Sequence, residues 1–357
     1  MSCIPINDFS LITLCDATKA GKLYSIVPDS GAGDFDVVRA TTATYLGSDG
    51  LIKTAANDEP RIEFNPDGSY KGLLVEPAAT NLVLRSEEFD DAVWTTNAQE
   101  VTISENTITA PDGTLSADAI LATTSDSLHF VQQRDISVTS GTNYTVSCFL
   151  KKNGYRYAEL RLSVNIAAEV VVDFDLGTAT GGTLIELANG WYRVIATATA
   201  TSTGGNTRMS IILRDDSNNS SFVGDVTKGV FAWGAQLEES TVPTSYIPTV
   251  ASTVTRAADV ISKTGASALI SQGSGTILFR ALFDSPTQIN IMGIIATVTN
   301  EQMKLTYSAS KIELFANDTS VGVLNGTFDF TSLDKIDLGN YDGDAQLDAH
   351  IQNFATI

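Results

Sequence analysis

His129, in "LHFVQQR", and His350, in "DAHIQNF", are the two imidazoles of the chain. A Ser–His–Asp or Cys–His relay needs one of them beside a nucleophile. Both stand in alternating, strand-like sequence without a GxSxG elbow, so both read as ordinary strand residues. Two carboxylates at a set separation suffice for glycoside hydrolysis, but with 42 Asp and Glu any such pair is expected by chance. Three acidic turns offer oxygen ligands to calcium: "VVDFDLG" (Asp173, Asp175), "RDDSNNSSFVGD" (Asp215, Asp216, Asp225) and "LGNYDGDAQLD" (Asp342, Asp344, Asp348). None has acids at positions 1, 3 and 5 with a Glu at 12, so they read as solvated turns. Cys3, Cys15 and Cys148 form no CxxC pair and no disulfide framework. There is no zinc spacing, phosphate loop or dinucleotide fingerprint. The chain reads as a non-enzyme without a cofactor; calcium is the one ion left open, and no motif supports it.

The remaining candidate chemistry is recognition. In "YRYAELRLSV", alternation puts Ala158, Leu160, Leu162 and Val164 toward a core, and Tyr155, Tyr157, Glu159 and Arg161 away from it. The same rule turns Lys151, Arg208 and Arg214 outward, and sets Trp191 and Arg193 opposite Tyr192 and Val194. Aromatic rings give flat apolar surface, and arginine donates in a planar fork. Tyr155, Tyr157, Glu159, Arg161, Trp191 and Arg193 therefore form the candidate set for an acidic glycan or an acidic neighbouring subunit. The competing reading is that they are solvated positions on different sheets.

These residues must be positioned by strands. Helical periodicity is nearly absent, and short alternating runs recur between Gly, Asn, Asp and Ser clusters. About eight such runs between 100 and 240, from "EVTIS" to "GVFAWGAQLEE", predict an antiparallel jelly-roll sandwich. In the last run, Phe231, Trp233, Ala235 and Leu237 are expected on one face, and Ala232, Gly234, Gln236 and Glu238 on the other. Cys148, in "YTVSCFLKK", reads as a small core residue. The all-β chain is divided into an extended N-terminal arm (1–85), the jelly roll (86–250), a connector (251–271) and a smaller β-sandwich (272–357). The arm has turn signals every few residues and is expected to dock onto a partner, so that removing 1–60 leaves soluble β domains. A faint echo links "VVRATTATYLGSDGLIKT" with "TVTRAADVISKT". The formal charge of −20, from 22 basic and 42 acidic residues, disfavours nucleic acid and anionic membrane as partners. The N-terminus lacks a basic leader region, and no window approaches the ~20 apolar residues of a membrane span.

"GLLVEPAATNLVLRSEEFDDAVW" resembles a segment of many bacteriophage and prophage virion proteins that leads into a jelly roll. "GWYRV" and "WGAQLEESTVPTSYIPT" with "TRAADV" resemble the close of that domain. "DFDVVRATTATYLGSDGLIKTAANDEPRIEF" is similar to the arm before it, and "SALISQGSGTILFRALF" to the entry of a concanavalin/laminin-G-like sandwich. The resemblance implies a tail fibre, spike or head-decoration subunit, located in the virion and assembled in host cytoplasm. It implies other virion proteins as partners and a homo-oligomer, a trimer by analogy with fibres, with host-surface glycan as a further ligand. It carries no catalytic residues. The alternatives are a tail-associated polysaccharide depolymerase and a free carbohydrate-binding module.

Overall fold

A computed structural model of the chain describes residues 9–19, 21–95, 98–282, 287–291, 294–298, 301–308, 310–325, 335–338, 340–341, 345–346 and 349–356. Strands take up 57% of the chain and helix 3%, so the expected all-β class is found. Eight strands form the central sandwich: β1 (Leu115–Ala122), β2 (Phe130–Val138), β3 (Asn143–Asn153), β4 (Tyr157–Ser163), β5 (Ala168–Asp173), β6 (Tyr192–Thr199), β7 (Gly204–Arg214) and β8 (Gly229–Glu238). One sheet runs β6-β3-β8-β1, extended by 183–186 beside β6 and 101–109 beside β1, and the other runs β2-β7-β4-β5, extended by 178–180 beside β5, all antiparallel. The chain crosses between the sheets at nearly every connection, which is the winding of a jelly roll. Ile120, Val131, Val146, Leu150, Leu160, Val170, Val194, Ile211 and Leu237 fill the space between the sheets, as do the expected Ala158 and Leu162. Cys148 is buried and free there, and burial pushes its thiol up. No helix among the described residues is long and apolar enough to cross a membrane.

The expected face of β8 holds for Ala235 and Leu237 and is corrected for Phe231 and Trp233. Val230 and Ala232 join the sandwich core, while Trp233 packs on the outer face with Phe231 against it. Gly234 has φ +64°, and the register with β3 slips between Ser147 and Phe149. This bulge reverses the alternation. Beyond it Ala235 and Leu237 face the core, and Gln236 and Glu238 are buried on the other side. A Cβ on Gly234 would sit 2.8 Å from the Phe149 ring and 3.3 Å from Tyr246, besides its left-handed backbone. Gly234→Ala is expected to cost about 2–3 kcal/mol in urea unfolding; a loss under about 0.5 kcal/mol would contradict the bulge. Val164 is also corrected: β4 ends at Ser163, and Val164 turns at φ +90° with half its surface exposed.

The N-terminal arm is threaded into the chain's own C-terminal sheet. That sheet runs, from one edge, through strands 319–325, 311–316, 301–308, 275–282, 349–356, 11–19, 22–27, 35–38, 260–264 and 335–338. The hairpin of Arg61–Phe64 and Tyr70–Val75 joins it beside 349–351. Leu11, Leu23, Phe35, Val37, Leu73 and Val75 share one core with Ile261, Met303, Leu305 and Leu314. Strands from the arm, from the connector (Val260–Thr264) and from 272–357 therefore lie in a single sheet, while the connector's Val254–Arg256 pairs separately with Ala79–Asn81. The hairpin of Ala43–Leu46 and Ile52–Ala55 roofs the outer face of the β6-β3-β8-β1 sheet. There Leu46 and Ile52 pack on Phe149, Trp191, Trp233 and Tyr246.

Candidate functional site

Residues far apart in the chain meet in a buried charge cluster. Arg39, of "VVRATTATY", reaches Asp259 Oδ1 at 2.8 Å. Arg61, of "EPRIEF", pairs with Glu76 of "GLLVEP" at 2.6 Å and also with Asp259 of "TRAADV". Arg256 lies 3.5 Å from Glu76. Ser245 donates to Glu76 through its backbone N–H and its hydroxyl, both at 2.6 Å. The remaining guanidinium N–H groups go largely to carbonyls: Arg39 to Thr41, Ala56 and Glu59, Arg256 to Pro77 and Ala257. None of these five side chains is more than 3% exposed. Burial alone would raise Glu76, yet Arg256 and Arg61 hold it well below the usual carboxylate range. Every carboxylate oxygen here already accepts from arginine, serine or backbone, so the cluster fastens segments together and offers no free acid or base.

Two other motif residues act in the same way. Asn81, of "ATNL", donates to Ala235 O at 3.0 Å and Ile247 O at 2.8 Å, and its own oxygen accepts from Leu237 and Val83 N–H. Ser86, of "SEEFD", bonds the Tyr246 hydroxyl at 2.7 Å and Thr249 N–H at 2.8 Å. Together they tie the exit stretch 241–249 to β8, which gives "PTSYIPT" its place.

The six candidate recognition residues separate. Tyr157, Glu159 and Arg161 lie together on the outer face of the β2-β7-β4-β5 sheet, where Tyr157 stands opposite Arg214, Arg161 opposite Ser210 and Ser163 opposite Arg208. Glu159 points outward as expected but is fully buried, because two arginines lie across it. Arg161 Nε is 2.5 Å from its carboxylate, and Arg214 reaches it at 2.8 Å and 2.9 Å. Beside them Arg156 stacks 5.0 Å from the Tyr157 ring and forks onto Asp173, holding that carboxyl down at about 2.

The other three lie elsewhere. Tyr155 is buried in the sandwich against Phe222, its hydroxyl accepting from Asp225 N–H at 2.8 Å. It follows Gly154, at φ +99°, and stands before β4 begins, so the alternation does not extend to it. Trp191 and Arg193 do lie opposite Val194, but on the roofed sheet. The Trp191 indole is buried and donates to Thr109 O at 3.1 Å. Arg193 lies over Phe149 and donates to Ser147 in a cleft of about 460 Å³ under the roof.

No group of three or more His, Cys, Asp or Glu among the described residues is arranged to hold a metal ion. Asp215 caps its own turn through Ser217 and Asn219 N–H, and Asp225 does so through Thr227. Asp342, Asp344 and Asp348 lie outside the described residues. His129 is buried with Nδ1 2.6 Å from Glu100 O and Nε2 3.0 Å from Phe222 O, which leaves neither nitrogen for a nucleophile. No family model and no curated protein matches the chain.

One acid outside these sites should govern pH behaviour. Asp118, buried on β1, accepts Phe89 N–H at 2.8 Å and Asn106 N–H at 2.9 Å. Burial, with Asp90 and Glu105 adding, pushes it up to about 6 in spite of those bonds. A folded value above the unfolded one means that its contribution is whole in acid and is lost as pH rises through about 6. Between pH 4 and 7.5 the wild type should lose on the order of 2 kcal/mol relative to Asp118→Asn. Parallel pH–stability curves for the two proteins would contradict this.

Proposed function

We infer that this chain is a structural subunit of a bacteriophage particle, a fibre, spike or decoration component that presents its jelly roll to the outside. The observation that carries the reading is the convergence of the resembling segments. Arg39, Arg61, Glu76, Arg256 and Asp259 are spent on one buried ion-pair cluster, and Asn81 and Ser86 on fastening the exit stretch. Such residues serve architecture, which fits a particle component. Other virion proteins and further copies of the chain are its partners, with a trimer as the expected assembly.

The test is mass spectrometry of gradient-purified particles. The chain should appear at fixed stoichiometry with the capsid protein; its presence only in the unassembled lysate fraction would overturn the reading. Incubation with capsule of the host strain should release no oligosaccharide, and release would favour a tail-associated depolymerase. Light scattering at micromolar concentration should give a mass near three chains, and a monomer would contradict the trimer.

A further inference from the structure

We propose that the outer face of the β2-β7-β4-β5 sheet binds an extended polysaccharide bearing carboxylate groups. The first argument is unspent donor capacity. Arg208 makes no hydrogen bond or ion pair to any described residue, and its Nε is buried without a partner. Arg161 is engaged only through Nε, near Glu159 and Glu169, so its two terminal nitrogens are free to donate. Arg161 stands opposite Ser210, and Arg208 is two residues away along β7 on the same face. Cross-strand diagonals of this kind are about 7–8 Å apart, a separation at which two guanidinium forks can act on one bound chain.

The second argument is charge. Outward positions of β4 and β7 carry Arg161, Arg208 and Arg214 against Glu159 alone. Glu159 is covered by Arg161 and Arg214, so solvent meets the arginines and not the carboxylate. At the margins Arg156 is matched by Asp173, and Glu169 flanks Arg161 at 3.5 Å. The face thus holds a local basic excess on a chain of formal charge −20. An acidic ligand gains there what the rest of the surface denies it.

The third argument is shape. Tyr157, half-buried, gives an aromatic surface at one end of β4. At the other end a shallow hollow of about 510 Å³ opens between Arg161, Ser163, Val164, Glu169 and Thr201. Val164 stands in its wall with an exposed β-branched side chain at φ +90°. Strain of that kind concentrates at ligand-contacting positions. From Tyr157 to Ser163 the strand spans about 20 Å, a track for a chain rather than for one sugar. A peptide strand would need free backbone groups, but β4 is paired on both sides, with β5 and β7.

The ligand class rests on the reading of the chain as an exposed particle subunit, but the binding itself does not. The test is biolayer interferometry of the full chain against polygalacturonate and against neutral dextran, at about 50 and 300 mM salt. Binding to polygalacturonate alone, weakened at the higher salt, is the expected result. Arg208→Gln should weaken it about tenfold or more with unchanged urea stability, since Arg208 holds nothing else in place. Arg161→Gln should act similarly, with Arg214 left to cover Glu159. Absence of polygalacturonate binding, equal binding to dextran, or undiminished binding by Arg208→Gln would overturn the proposal. So would a polygalacturonate-blind protein in which Arg208→Gln dissolves an oligomer, because the face would then be a subunit contact. Particle incorporation of Arg208→Gln is read separately: a loss of glycan binding with normal incorporation supports this site, whereas absence of the wild-type chain from particles counts only against the virion assignment.

Discussion

Asp259→Ala should destabilise the chain by about 3–5 kcal/mol. One carboxylate there serves Arg39 through Oδ1, and Arg61 and Glu76 N–H through Oδ2. Its removal leaves three buried arginines facing Glu76 alone. Breaking a buried ion pair from one side costs this much because the surviving charge stays out of water without compensation. Asp259→Asn should cost less, since its oxygen still accepts one of these bonds. Urea unfolding reads both, and a loss below about 1 kcal/mol for the alanine variant would mean that the cluster does not hold the segments. The pH sign follows from Glu76. Its folded value lies below the unfolded one, so its stabilisation is present at neutral pH and is lost only as pH falls through the depressed value. The cluster should therefore withstand mild acid.

Deletion of residues 1–60 should be still more damaging. The arm read as a docking segment predicts soluble domains after this cut, but its strands lie inside the C-terminal sheet. Removing Leu11–Lys19, Lys22–Val27 and Phe35–Val38 strips one neighbour from 349–356 and one from 260–264, and so splits the sheet. It uncovers Ile261, Met303 and Leu305, and it removes Arg39 and the roofing hairpin. Bare strand edges beside exposed apolar surface aggregate. The truncated chain should go to inclusion bodies, and a soluble protein with a cooperative unfolding transition would contradict this.

Most of the jelly roll is legible because its strands carry their own alternation and turn residues, as Ala158, Leu160 and Leu162 illustrate; Leu115–Ala122 is the exception, since Ala117, Asp118, Ala119 and Ile120 are buried in succession and leave no alternation to read. What escaped depends on single residues or on distant partners. Gly234 reads as one more small residue in an alternating run, yet its positive φ reverses the phase and moves Trp233 to the opposite face. Tyr155 lies before β4 begins, so the alternation read through it does not apply. Glu159 was placed on the correct face, but its burial depends on Arg214, 55 residues away, and on Arg161 folding across it. Pairing of Leu11–Leu14 with Asn353–Thr356 has no local signature at all, since long-range β pairing is set by packing and not by either strand. Nothing local marks Asp259 and Arg61 as partners, since they stand 198 residues apart.

Hydrogen exchange on the intact chain tests most directly whether arm, jelly roll and C-terminal sheet are interlocked through the buried cluster. Amides of 11–14 and 35–38 should be protected to the same extent as their partners in 353–356 and 260–264, and Asp259→Ala should release all four segments together while β3 and β8 stay protected. Exchange of 11–38 within seconds in the wild type, with 260–264 and 353–356 still protected, would contradict the interlock and restore a free arm.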